Sequence, residues 1–386
     1  MGVYLDHNST TPIDPRVGQL LATWLAERFG NPASRDHRWG WEAADGVEEA
    51  RAWVRTAANA RSGYVSFGSG ATEALNTVLR SYVGFDRWTA KTIITCGTEH
   101  DSVLATCRYL HRRTGVAIRL LPVDRCGNVD IDTLTNALDG APGSLVVLMA
   151  ANNEIGTRHP VREIAAATHA AGGVLLCDTT QAFGRMSVDV DGDEVDFATI
   201  SAHKMYGPKG CGALIARRCV ADQLEPLIVG GGDERARGGT ANAPAIAAFG
   251  EACRLTTEEL DADVQRMTVL RDRLERVIRA NVDRVWVNGD CGSRLCNTTN
   301  IGFTGVDGKV LIRDMHDVAV STRSACSSGA GGPSHVLKAI GLSDEEAYSC
   351  IRFSVGRFST EDEIDYAIAK VTASVHKLRR LKSVRV

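Results

Sequence analysis

From about residue 62 to residue 216 the sequence switches again and again between short uncharged runs and Ala-rich stretches of helical period. The runs are Thr92-Ile93-Ile94-Thr95, Leu145-Val146-Val147-Leu148-Met149, Val174-Leu175-Leu176-Cys177 and Phe197-Ala198-Thr199-Ile200. A strand that is apolar along its whole length has to be covered on both faces, whereas one open to water alternates. Such strands separated by helices dictate an α/β fold with a mostly parallel sheet between two helical layers. Functional side chains in that fold gather at the carboxyl ends of the strands.

A chain of 386 residues with 44% hydrophobic content exceeds what one core usually holds. Beyond residue 255 the texture changes. Thr256-Thr257-Glu258-Glu259 reads as a cap and acidic first turn, followed by Leu260, Val264, Met267, Leu270, Leu274 and Val277 on one helical face. The expected division is a large domain over 16–255 and a smaller α+β domain formed by 1–15 and 256–386. The smaller one holds Thr298–Phe303, the strand-like Val318–Ser321 and a final helix from about 361 to 380.

A net charge of -3 gives no field that would recruit nucleic acid or an anionic membrane. The basic run His376–Lys382 reads as a solvated helix end. No apolar stretch reaches 18 residues and the N-terminus lacks a basic region with an apolar core, so neither membrane span nor signal peptide is expected, and the expected location is cytoplasmic. The 11 cysteines show no paired CxxC spacing and no zinc pattern, as expected of reduced thiols packed as small hydrophobes.

Six stretches carry residue types suited to chemistry. Gly68-Ser69-Gly70-Ala71-Thr72 follows Tyr64–Phe67 and opens an Ala/Leu helix, which makes either a phosphate cup or an ordinary turn. It matches neither GxGxxG nor GxxxxGK[ST]. Asp178 ends an apolar run, where it can pair with a ligand's positive nitrogen or cap a helix. Lys204, in Ile200-Ser201-Ala202-His203-Lys204-Met205-Tyr206-Gly207-Pro208, lies 26 residues later and also follows a strand. One strand–helix–strand step would bring the two to one sheet edge, where the amine can form a Schiff base while Ser201 and His203 bond a phosphate. His100 and Asn153 follow two further strands; each suits a flat ring ligand or a plain turn. Cys326 stands apart from the other cysteines, in the small-residue run Ser324-Ala325-Cys326-Ser327-Ser328-Gly329, with Arg323 three positions away to favour thiolate.

Taken together these stretches resemble the cysteine desulfurases of the iron–sulfur-assembly and nitrogen-fixation branch, pyridoxal-phosphate enzymes of the class V aminotransferase group with the fold-type I architecture. The resemblance runs nearly end to end, through Tyr4–Asp6 with Thr10-Thr11, Phe29–Ser34, Ser69–Glu73, Thr98–His100, Asn152–Gly156, Asp178–Gln181, Ser201–Lys204 and Ile351–Ser354. It implies pyridoxal 5'-phosphate bound as a Schiff base to Lys204, with Asp178 on the ring nitrogen and His100 stacked on the ring. Gln181 and Asn153 would contact the ring hydroxyl or substrate, Ala71, Thr72, Ser201 and His203 the phosphate, and Arg352 the carboxylate of L-cysteine. Thr240 would reach the phosphate in a neighbouring subunit, which implies a homodimer. Cys326 would take the sulfur as a persulfide, release alanine and pass the sulfur to an acceptor protein.

The sequence departs from the family pattern twice. The segment 233–240 is one residue shorter, and Thr322-Arg323 replaces smaller residues before Ser-Ala-Cys. Competing readings are another pyridoxal-phosphate lyase or aminotransferase, such as a selenocysteine lyase without need of Cys326, and a non-catalytic sulfur-relay scaffold. An iron–sulfur scaffold, a tRNA-thiolation protein and a DNA-phosphorothioation complex would accept the same persulfide.

Overall fold

The computed structural model describes residues 2–61, 63–83, 90–231, 236–322 and 332–383. The chain opens with β1 (Val3–Tyr4), α1 (Pro15–Ala26), α2 (Arg38–Ala57), β2 (Tyr64–Gly68) and α3 (Ala71–Val83). Then come β3 (Thr92–Cys96), α4 (Asp101–Thr114), β4 (Ala117–Leu121), α5 (Ile131–Leu138), β5 (Leu145–Met149) and α6 (Val161–Ala170). They are followed by β6 (Val174–Asp178), β7 (Phe197–Ser201), β8 (Gly212–Ala216), α7 (Arg218–Ala221) and α8 (Ala243–Asn281). Last are β9 (Val285–Asn288), β10 (Thr298–Phe303), α9 (Gly308–Asp314), β11 (Val318–Ala319), α10 (His335–Ala339), α11 (Asp344–Tyr348), β12 (Cys350–Ser354) and α12 (Glu361–Ser383).

Seven strands form the central sheet in the order β2-β8-β7-β6-β5-β3-β4. Only β8 runs against its neighbours; β2, antiparallel to β8 in turn, points the same way as β7. The carboxyl ends of β2, β3, β5, β6 and β7 therefore share one edge. The uninterrupted apolar runs are explained by the packing: Val146 and Leu148 enter one core with Trp24, Val54, Ile164 and Phe249. Leu145 and Val147 enter the opposite one with Leu79, Tyr82 and Leu110. A separate core joins the second half of α8, β10, β12 and α12 through Leu270, Leu274, Ile301, Phe353 and Val371.

Three expectations need correction. The helix expected to open at Thr256 starts at Ala243, capped by the Asn242 side chain, which accepts a hydrogen bond from the Ala245 N–H. The Ala-rich stretch before Thr256 packs helically on the large core, and Thr257 Oγ1 donates to the Cys253 carbonyl one turn back instead of capping. The expected strand–helix–strand step between Asp178 and Lys204 contains no helix. Residues 179–196 cross as a succession of turns, and β6 and β7 pair directly in parallel. The basic end of α12 is not simply solvated, since Lys377 pairs with Asp314 and Arg379 with Asp283.

Candidate active site

The turn after β7 explains the sequence His203-Lys204-Met205-Tyr206-Gly207-Pro208. Ala202–Lys204 form a single 3₁₀ turn, and Tyr206 then adopts φ 65°, a left-handed conformation that costs a side chain about 1–2 kcal/mol. That strain is held by partners: the Tyr206 N–H donates to Thr11 Oγ1 (2.8 Å), and its hydroxyl accepts from the Arg357 N–H (2.6 Å). At Gly207 a Cβ would lie 2.9 Å from the Ala202 carbonyl oxygen, so the chain can fold back only with glycine there. The result fixes Lys204, whose Nζ donates to the carbonyls of Asn8 (2.6 Å) and Ser9 (2.7 Å).

Lys204 faces a cavity of about 420 Å³ at the shared strand edge. Ala71, Thr72, His100, Asn153, Asp178, Gln181, Ser201, His203 and Arg352 line the same cavity. Thr240 does not; it borders an adjoining cavity with Ser69, Gly210 and Arg237. Cys326 and Arg323 lie outside the described residues, as does the start of the 233–240 segment. The described flanks of the Cys326 stretch are fastened to the site. Ser321 and Arg352 exchange backbone hydrogen bonds (3.2 and 2.7 Å), and Ser334 Oγ donates to Glu154 Oε2 (2.5 Å).

The donors and acceptors are already oriented. Asp178 Oδ1 accepts from the Thr180 N–H (3.0 Å) and Thr199 Oγ1 (3.2 Å). Gln181 donates to the Asn8 carbonyl and accepts from Arg185. Arg352, almost wholly buried, donates to the Asn153 carbonyl (2.9 Å), Asp6 Oδ1 (2.6 Å) and Ser9 Oγ (2.7 Å). Sequence reasoning missed Asn8 and Ser9, which line the cavity beside Thr10 and reach Lys204 through backbone carbonyls that no sequence pattern marks.

Burial, reinforced by Lys204 beside it, pushes the His203 imidazole down to about 4 from its ordinary 6.5. His7 is likewise pushed down to about 4 by burial, with Arg185 adding to it. The unfolded chain therefore takes up protons first, so the cofactor-free protein should keep its full stability above pH 6.5 and lose it as pH falls to 4. The combined loss should be on the order of 3 kcal/mol, about half the value for two fully buried imidazoles, since His203 is only partly buried. Urea midpoints across this range measure it, and a His203→Gln protein should show a shallower slope; a flat wild-type midpoint would refute the assignment.

Pyridoxal phosphate needs an amine, a carboxylate for its ring nitrogen, a flat stacking partner and an anion cradle. The residues present fit it. The first-turn N–H groups of α3 have no intrahelical partner, and Ser201 Oγ lies beside Gly70 at the start of that helix. A Cβ at Gly212 would lie 2.6 Å from Gly70 Cα, so glycine lets this corner close. Thr180 Oγ1, buried at the cavity wall, has no hydrogen-bond partner among the described residues.

The aminotransferase class-V family pattern matches residues 3–367, and the chain belongs to that family, whose members depend on pyridoxal phosphate. A protein of Rickettsia prowazekii (strain Madrid E) named cysteine desulfurase IscS is 42% identical over 380 residues, covering 98% of this chain and 92% of the relative. The solved structure of a NifS-like protein superposes with a TM-score of 0.88 at 33% identity, covering 97% of this chain and 99% of the other. The structure of SspA in complex with cysteine gives 0.80 at 27% identity, covering 93% and 100%.

Proposed function

We propose that the protein is a pyridoxal-phosphate-dependent cysteine desulfurase that converts L-cysteine to L-alanine and passes the sulfur, through a persulfide on Cys326, to an acceptor protein. The observation that carries the reading is the convergence of Lys204, Asp178, His100, Ser201, His203 and Arg352 on one cavity. When bound, the cofactor supplies an electron sink for the substrate's carbon skeleton.

The side chains divide the work. Lys204 would hold the cofactor through its amine, and as a free amine at this cavity wall it is placed to move a proton at the substrate's Cα. Asp178 keeps Oδ2 for a protonated ring nitrogen while Thr180 and Thr199 hold Oδ1. His203 is bonded through Nδ1 to Thr10 Oγ1 (3.1 Å), which leaves Nε2 to the phosphate with Ser201, Ala71 and Thr72. His100, whose Nδ1 is held by Ser102, presents a fixed ring for stacking. Gln181 and Asn153 orient the ring hydroxyl and substrate, and Arg352 receives the substrate carboxylate at a guanidinium set by Asp6.

The thiolate of Cys326 attacks the sulfur of bound L-cysteine. The Cβ–S bond breaks, its electron pair stays on the carbon skeleton, and protonation completes alanine. The buried thiols are unsuited to this step, because desolvation pushes Cys107, Cys211 and Cys350 up to about 12 and Cys296 to about 11. Among the described residues no group of three His, Cys, Asp or Glu is arranged to hold a metal.

The active unit is a homodimer in this reading. Phe29 (70% exposed), Trp41 (55%) and Val229 (85%) leave apolar surface for a second copy to cover, and Thr240 stands away from its own chain's site. The domain division at residue 255 is part of the same proposal; it is supported by the separate cores that meet along α8. So is a cytoplasmic location, supported by the absence, among the described residues, of any helix long and apolar enough to cross a membrane.

The test supplies L-cysteine and a thiol reductant to the yellow protein and quantifies alanine and sulfide. Equimolar products that vanish in Cys326→Ala while the colour stays are expected. A colourless protein overturns the cofactor assignment, and a fully active Cys326→Ala protein overturns the persulfide.

A further inference from the structure

One buried acid has no part in the mechanism above. Glu99 precedes His100, is fully buried, and lies where the sheet splits. Strands β3 and β5 pair only at Ile93 with Leu145 and Ile94 with Val146, after which they part, while β5 stays paired with β6 as far as Met149 and Asp178. Across the opening, side chains replace the backbone ladder. Glu99 Oε1 accepts from the Met149 N–H (2.7 Å), and Asn152 Nδ2 donates to the Thr98 carbonyl (2.9 Å).

We infer that Glu99 is a positioning residue of the candidate active site, a neutral acid that bridges the split between β3 and β5 and so fixes His100 on one side and the Met149–Asn153 run on the other.

This rests on the cofactor reading above, which gives His100 and Asn153 their roles. Both ends of the bridge bear cavity residues: His100 is next in sequence to Glu99, and Met149, which receives the bond, itself lines the cavity with Ala151 and Asn153. The Glu99 carbonyl also accepts from His335 Nε2 (2.9 Å), just beyond the Cys326 stretch, so the same residue ties three parts of the site together. The neutral form follows from the surroundings. Oε2 has no hydrogen-bond partner among the described residues, Cys96 Sγ stands 3.7 Å from Oε1, and the charge acting on the group is the like-signed Asp178. A carboxylate there would be desolvated without a cation, and burial accordingly raises the Glu99 carboxyl well above its ordinary value.

Glutamine has the shape and acceptor of the neutral acid, whereas aspartate draws the acceptor back by one methylene and alanine removes it. Affinity for pyridoxal phosphate, the visible circular dichroism of the loaded protein and hydrogen exchange of residues 145–154 in the cofactor-free protein separate them. Glu99→Gln should bind within about twofold of wild type with an unchanged dichroic band. Glu99→Asp and Glu99→Ala should lose about tenfold in affinity, the scale expected for a buried donor left unpaired, with an altered band and faster exchange at Met149. If Glu99→Ala does not fold, the contrast between Gln and Asp decides alone. Wild-type values for Asp, or a Gln variant as impaired as Asp, overturn the inference. So does a lowered melting temperature in the Asp or Ala variant with the dichroic band unmoved, which marks a structural role only. A wild-type protein that binds no pyridoxal phosphate overturns the cofactor reading instead, which keeps the two failures apart.

Discussion

Changing Lys204 to alanine should stop alanine formation, with turnover reduced by at least ~10²–10⁴-fold, the range spanned by loss of one positioned proton-transfer group. The amine is held by two carbonyls at 2.6 and 2.7 Å, and the Lys204 carbonyl is itself held by Arg185 Nη2 at 3.2 Å. No other described lysine or arginine is placed to substitute for it. Lys209 lines the same cavity but is exposed on the far side of Gly207-Pro208. Arginine at position 204 should not rescue, because a guanidinium keeps its proton and cannot act as nucleophile or base. Alanine release at saturating L-cysteine, read beside the cofactor retained after gel filtration, measures the effect. A Lys204→Ala protein that turns over at the wild-type rate would remove the centre of the proposed mechanism.

The largest stability effect is expected at Arg357, not at a cavity residue. Its guanidinium is almost fully buried and bonds Asp263 Oδ2 at 2.7 Å and Asp14 Oδ2 at 3.1 Å, both carboxylates also being buried. It also lies 4.6 Å from the centroid of the Tyr206 ring. Arg357→Met should cost about 3–5 kcal/mol, because removing one partner of a buried pair strands charge that water cannot reach. Arg16 and Arg266 keep part of the field on Asp14 and Asp263, which argues for the lower end of that range. Adding Asp263→Leu should recover part of the loss. The urea midpoint reads both effects, and a midpoint unmoved by Arg357→Met would mean the cluster contributes nothing. Tyr206 is two residues from Lys204, so the variant should also weaken cofactor retention.

Residue types with a strong local signature were legible before the structure. Asp178 and Lys204 were readable because one apolar run ends at Asp178 and another shortly before Lys204, and β6 and β7 do end at Asp178 and Ser201. Their connection was not readable, since turns over 179–196 leave no period to detect and only the pairing of β6 with β7 reveals the short crossing. The true start of α8 was hidden because threonine and glutamate announce a cap in sequence, while only the packed core shows that the alanines before them are helical. The role of Asn8 and Ser9 was out of reach for a different reason. They act through backbone carbonyls brought to Lys204 from nearly two hundred residues away, and a carbonyl has no signature in sequence. Glu99 was visible only as part of a motif, because its burial depends on where β3 leaves β5.

Helix α8 has 39 residues and so runs for about 58 Å as one unbroken rod. Its first half interlocks with α2, where a Cβ on Gly250 would come within 2.5 Å of Ala50 Cα, and its second half carries Leu270, Leu274 and Ile278 into the other core. Two bodies threaded on one shaft do not swing apart as they would on a slack tether; displacement of either has to be paid as flexure or torsion along the shaft. With both cores built onto one continuous helix, the frame around the cavity is set by an axle rather than a hinge.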